Sequence, residues 1–225
     1  MSSEATSAQA EVGAHFDVVS VDYDHWKKKN WFYYQTLYSI ARRNAGGVAR
    51  LLDVGCGTGA MIRVVAPKYG LGIDLSPGMI EVAKRNNADH REYVFEVADI
   101  TTFTSNEKFD AILFFDVIEH VTDIPKVIRS LRDLLGPEGK LVLTMANPLW
   151  EPILMFAERR GLKMPEGPHY RMPSRDLLTL AKASGLTLKK REWHLLFPKY
   201  IPYFSWFWNE LVGRLPLIQR LSVVE

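Results

Sequence analysis

Asp53 stands two residues ahead of alternating glycines, Gly55-Cys56-Gly57-Thr58-Gly59, which lead into Ala60. A glycine-rich bend after an apolar stretch lets the backbone turn sharply and a ligand approach with no Cβ in the way. Asp74 follows where a carboxylate can accept both hydroxyls of a ribose. Asp99-Ile100 offers a side-chain acceptor beside a backbone amide, a pair suited to an adenine edge. Farther on, Asp116, Glu119 and His120 occupy positions i, i+3 and i+4, which one helical turn would bring to one side. Carboxylates beside an imidazole suit proton handling near neutral pH. The spacing therefore suggests a nucleoside-bearing cofactor next to an acid–base site.

Two cofactor classes compete for the glycine bend. Gly55-x-Gly57-x-x-Ala60 satisfies the dinucleotide fingerprint, and Asp74 lies near the expected distance. Asp53 argues the other way, because a carboxylate there repels a pyrophosphate and attracts the ammonium of an amino-acid moiety. A nicotinamide-dependent oxidoreductase also usually needs a second, substrate domain, and no such module is left over in 225 residues.

The elements that must position these residues alternate regularly. Apolar positions at helical spacing over 30–45 end at Gly46-Gly47. Strands are expected at 48–54, 70–75, 91–97, 109–115 and 140–146. Between them, helices are expected at 59–67, from the Ser76-Pro77 cap to Asn86-Asn87, and from Asp123 to Leu135. This rhythm implies an α/β fold with a doubly wound, mostly parallel sheet. Past Asn147-Pro148 it breaks: 149–172 reads as an insertion, Ser174 as the cap of a helix to Gly185, 186–196 as a sixth strand and 217–225 as a seventh. Residues 1–14 read as a flexible tail and 15–225 as a single domain.

Taken in order, LLDVGCGTG, GIDLSPGMIEVAK, ADI, FDAILFFDVIEHV and GKLVLTMANP make the chain similar to class I S-adenosylmethionine-dependent methyltransferases over residues 48–148. The likeness is greatest to the ubiquinone-biosynthesis O-methyltransferase group. The resemblance implies a seven-stranded sheet with its last strand antiparallel, and S-adenosylmethionine as cofactor. It assigns Asp53 and Gly55, Cys56, Gly57, Thr58 and Gly59 to the methionine portion, Asp74 to the ribose, and Asp99-Ile100 to the adenine, with Met79 on the adenine face; Leu75 and Phe115 are expected among the cofactor-binding residues as well. It also places Asp116 and His120 at the methyl site. Small-RNA 2′-O-methyltransferases use a carboxylate, a Glu-His pair and a later histidine to bind a divalent metal. Here Asp116, Glu119, His120 and His169 stand in that order, although many relatives carry the IEH triplet with no metal. Transfer to a hydroxyl is the expected reaction, with transfer to an amine as the alternative.

Of the 26 aromatic residues, 15 fall in two windows, 23–38 and 193–208, both outside the regular α/β pattern. Residues 15–47 and 149–216 are therefore expected to cover an acceptor pocket, with Tyr23, Trp26 and Tyr34 on one side and His169, Tyr170 and Arg171 on the other. The aromatic stretch 197–221 is too interrupted by prolines to span a bilayer, but suits peripheral contact with a membrane interface and a lipid-like acceptor. The run Lys27-Lys28-Lys29 can add to that contact, although a charge run is usually a solvated face. A formal charge of +2 gives no support to a nucleic-acid partner. One cysteine, Cys56, excludes an intrachain disulfide and fits a reducing, cytoplasmic setting.

Overall fold

The computed structural model describes residues 3–147, 150, 155–156, 158–161, 164, 172–194, 203, 205 and 207–212. Three helices lead the chain: α1 (Ser3–Val19), α2 (Tyr23–Lys29) and α3 (Trp31–Ala45). The alternating part follows as β1 (Arg50–Val54), α4 (Ala60–Val65), β2 (Tyr69–Asp74), α5 (Pro77–Asn86), β3 (Tyr93–Val97), β4 (Phe109–Phe115), α6 (Ile124–Leu134) and β5 (Leu135–Thr144); α7 (Ser174–Ala183) and a π-helical segment, Phe207–Val212, come after it.

The strands lie in the order β3-β2-β1-β4-β5, and every pairing is parallel. Successive side chains of a strand point to opposite faces, so each strand feeds two cores. Leu51 and Leu113 join Leu37, Ile62 and Ile80 on the face covered by α3, α4 and α5. Leu52, Ile112 and Phe114 join Val127, Leu131 and Leu177 on the face covered by α6 and α7. The change of face falls between β1 and β4, the crevice where open α/β sheets bind ligands.

Local sequence explains the helices that frame this crevice. Ser76 caps α5 by accepting from the Met79 amide at 3.0 Å, with Pro77 at the first helical position. Asp123 caps α6 through the Lys126 amide at 3.0 Å. Ile124, Val127, Ile128, Leu131 and Leu134 then bury one stripe of that helix.

The structure departs from expectation in several places. The supposed tail is helical from Ser3, and Val12 is buried. Its alanines, glutamates and Gln9 are good helix formers, so propensity was the available signal. Among the described residues the sheet has five strands, not seven, and none is antiparallel. Residues 186–193 form no strand, and 217–225 lie outside the described residues. β5 begins at Leu135 and takes in Gly136-Pro137, with an irregularity between Phe109 and Ala111 on its partner strand. Ser174 makes no cap bond; Pro173 holds the cap position of α7.

Candidate active site

A cavity of about 180 Å³ opens at the carboxyl ends of β1, β2 and β4. Its wall includes Asp53, Gly55, Cys56, Gly57, Asp74, Leu75, Met79, Asp99, Ile100, Phe115, Asp116 and His120, all singled out by the sequence. Tyr23 and Tyr34 line it as well. Thr58 and Gly59 do not, nor does Trp26, over whose ring the Lys29 ammonium sits at 4.5 Å. His169, Tyr170 and Arg171 lie outside the described residues.

The glycines make room for the protein's own chain. A Cβ on Gly55 would meet Val117 at 2.3 Å, and Gly55 has φ of +71°. That contact draws the loop after β4 against the loop after β1. A Cβ on Gly59 would meet Asn87 at 2.6 Å and Phe95 at 2.8 Å. The amides of the bend are spent internally: Gly55 and Cys56 donate to the Ile73 carbonyl, Gly57 to Asp74 Oδ2 and Gly59 to the Cys56 carbonyl. A diphosphate needs a fan of amides at such a bend. Here four of them already have acceptors, and α4 behind them has only six residues.

What the bend offers instead is negative charge. Asp53 is 2% exposed, and its Oδ2 has no hydrogen-bond partner among the described residues. Burial pushes its carboxyl up to about 7; Lys27 pulls the other way and Asp74 adds to the rise. A buried carboxylate in want of a donor is costly, and an ammonium beside it would restore the charged form. Asp74 accepts from the Gly57 amide through one oxygen and from the Ser76 amide through the other, both at 2.9 Å. Burial raises its pKa, and those amides oppose the rise. Asp99 accepts from the Thr101 amide at 2.7 Å, beside a floor of Met79 and Ile100 that suits a flat base. Asp53, Asp74 and this floor together fit a ligand with a cationic amino-acid end, a ribose and an adenine.

At the other end, Asp116 is held firmly. Its Oδ2 accepts from the Tyr33 hydroxyl at 2.7 Å and its Oδ1 from the Thr144 hydroxyl at 2.8 Å. Its φ of +54° is unusual for a residue with a side chain, and Thr144 accepts from its amide as well. The expected helical turn is shorter than the spacing suggested, covering only Ile118–His120. Asp116, Glu119 and His120 all reach the cavity wall, yet Glu119 turns to the Ala146 amide at 2.6 Å and the His120 ring meets Phe16 edge-on at 5.2 Å. Among the described residues no three His, Cys, Asp or Glu side chains are grouped to hold a metal ion.

Sequence reasoning missed the first helices. Gln9, Val12 and Phe16 of α1 line the cavity, and so does Lys27 of α2. The triple-lysine run concealed Lys27, whose neighbours Lys28 and Lys29 are exposed as such runs usually are. Its position four residues after Tyr23, on the same helix face, was the usable signal.

A family model described as a methyltransferase domain matches residues 13–190. The ubiquinone biosynthesis O-methyltransferase of Histophilus somni (strain 2336) is 33% identical over 149 residues, 60% of this chain and 62% of that protein. Its counterpart from Coxiella burnetii (strain RSA 331 / Henzerling II) is 32% identical over 151 residues, 61% and 63% of the two chains. The chain thus spans less than two thirds of the length of these relatives. Among solved structures, magnesium protoporphyrin IX methyltransferase from Synechocystis PCC 6803, with bound SAH, superposes with a TM-score of 0.62 at 20% identity, covering 81% of this chain and 91% of that one. A chain of the complex between the Haloferax volcanii Trm112 methyltransferase activator and a methyltransferase superposes with a TM-score of 0.71 at 17% identity, covering 95% and 94%. At such identities these two show the fold.

Proposed function

The chain belongs to the methyltransferase-domain family, with S-adenosylmethionine as its cofactor, and on that premise we propose that it methylates a hydroxyl of a small or lipid-like molecule. The observation that carries the cofactor side is the buried Asp53 oxygen left without a hydrogen-bond donor among the described residues. Asp53 takes the ammonium, Asp74 the ribose hydroxyls, and Asp99 with Ile100 the adenine edge over Met79. When bound, the cofactor supplies an electrophilic methyl group on a sulfonium.

The protein's own work is to hold the acceptor and manage its proton. Positioning alone lowers the barrier of such a transfer by roughly 7–11 kcal/mol. Asp116, fixed by Tyr33 and Thr144, anchors the loop that carries His120. His120 accepts the proton that the acceptor hydroxyl gives up. Phe16 meets the His120 ring edge-on, and Met61 and Met164 add apolar wall to the same cavity. The names of the Histophilus and Coxiella relatives support a hydroxyl over an amine. Tyr203, 90% exposed, and the exposed Phe207 and Trp208 support peripheral contact of 197–221 with a membrane interface, although most of that stretch lies outside the described residues. No described helix is long and apolar enough to cross a membrane.

The test is incubation with methyl-labelled cofactor and fractionated metabolite and lipid extracts, read as the mass gain of one methylene. His120→Ala should then slow turnover about 100-fold while S-adenosylhomocysteine (SAH) binds as before. Equal losses of turnover and binding would remove His120 from the proton's path.

A further inference from the structure

Gln9 is 8% exposed, and its side chain forms part of the cavity wall. Among the described residues its carboxamide has no hydrogen-bond partner. The other polar side chains on this side of the molecule are engaged. Asp17 accepts from Ser76 and Gly78, Ser20 donates to the Asp17 carbonyl at 2.7 Å, and Asp24 accepts from Thr58 and Asn86. A buried amide with neither its donors nor its acceptor satisfied weakens a fold, so a glutamine at such a position asks for a use outside the fold.

The surroundings say what that use is. Gln9, Val12 and Phe16 recur at i, i+3 and i+7, so they form one stripe of α1. Val12 is buried, and the Phe16 ring meets the His120 ring edge-on at 5.2 Å. The stripe therefore belongs to the wall on which the proton of the acceptor hydroxyl is handled. The hydrogen-bonding groups assigned to the cofactor come from elsewhere, from Asp53 and Asp74 on the strands and from Asp99 with Ile100 after β3. A carboxamide brings two donors and an acceptor oxygen but no charge. It matches a neutral group such as a carbonyl, an amide or a hydroxyl; a charged group would need a counter-charge that Gln9 lacks.

We infer that Gln9 is a specificity residue for the acceptor, taking a second, neutral hydrogen-bonding group on the molecule whose hydroxyl faces His120. This rests on the methyltransferase reading above and deepens it. Gln9 and Phe16 stand about two helical turns apart, roughly 10 Å along the axis. The second group is accordingly well removed from the hydroxyl, which disfavours an acceptor as compact as a short alcohol and favours an extended one.

The test uses the full chain, with SAH as the cofactor probe and, as the acceptor probe, the compound purified from the extract fraction that gains a methyl with the unaltered protein. Gln9→Leu should leave the urea midpoint of the cofactor-free protein unchanged or raise it, because an apolar side chain replaces an unpaired amide. SAH affinity should stay the same by calorimetry. The KM for the acceptor should rise about tenfold, the range of a lost hydrogen bond that leaves the ligand's own group unpaired, with the loss falling on KM rather than on turnover at saturation. Gln9→Met, which keeps the length of the side chain, should give the same pattern. An acceptor KM unmoved in both variants, or SAH affinity falling in parallel with it, would overturn the inference. So would a lowered urea midpoint in both, since Gln9 would then serve the fold. Absence of any methylated fraction with the unaltered protein would instead overturn the methyltransferase reading beneath it.

Discussion

Asp53 is the residue on which pH should act most visibly. Its carboxyl is raised from an ordinary 3.8 to about 7 by burial. A folded-state value above the unfolded one means the folded protein holds a proton that the unfolded chain has lost. Stability therefore falls as pH climbs from about 4 to about 7 and then levels. Relative to Asp53→Asn, the cofactor-free protein should lose about 2.5 kcal/mol between about pH 5 and pH 8, measured by urea unfolding; parallel pH profiles would refute the buried-acid assignment. Binding should move oppositely, because the ammonium needs the carboxylate. SAH affinity should rise about tenfold from about pH 6 to pH 7.5. In Asp53→Asn it should be weak and flat. Sequence alone marked Asp53, Asp74 and Asp99 because an aspartate at a strand end beside a glycine bend has few other uses. Lys27 was hidden because nothing in KKK says which lysine turns inward; that depends on where α2 rests.

The elements that close the site are the ones the sequence described least well. Strand and helix alternation from β1 to β5 was readable because apolar runs, caps and glycines agreed with one another at every step. α1 escaped because small residues give it almost no apolar stripe. Beside the buried Val12, it is held by polar contacts: Asp17 accepts from the Ser76 hydroxyl at 2.5 Å and the Gly78 amide at 2.7 Å, at the N-terminus of α5. A carboxylate there satisfies orphan donors and complements the helix dipole. Asp17→Ala should therefore destabilise the fold by roughly 1–2 kcal/mol and also weaken SAH binding, since Val12 and Phe16 hang from the same helix. Asp123→Ala, which removes the cap of α6 away from the cavity, should cost about 1 kcal/mol with SAH affinity unchanged. Urea titration and calorimetry on the pair separate the two effects; equal binding loss in both variants would mean that α1 has no particular hold on the site.

For the whole molecule, the order β3-β2-β1-β4-β5 places the β1 and β4 loops side by side, so residues far apart in sequence come to line one cavity. That convergence followed from the alternation and the right-handed crossovers it requires. The strand expected over 186–196 was not realised in 186–193, a polar run, LTLKKREW, and the one expected at 217–225 lies outside the described residues. The likeness in sequence is to proteins named ubiquinone biosynthesis O-methyltransferases, and the solved neighbours share the fold. The proposed ligand of the glycine bend is a cationic amino-acid tail and not a diphosphate. Isothermal calorimetry of the unaltered protein with SAH and, separately, with NADH addresses it directly: saturable one-to-one heat with SAH that NADH neither matches nor displaces is the predicted result, and saturation by NADH with no heat from SAH would contradict it.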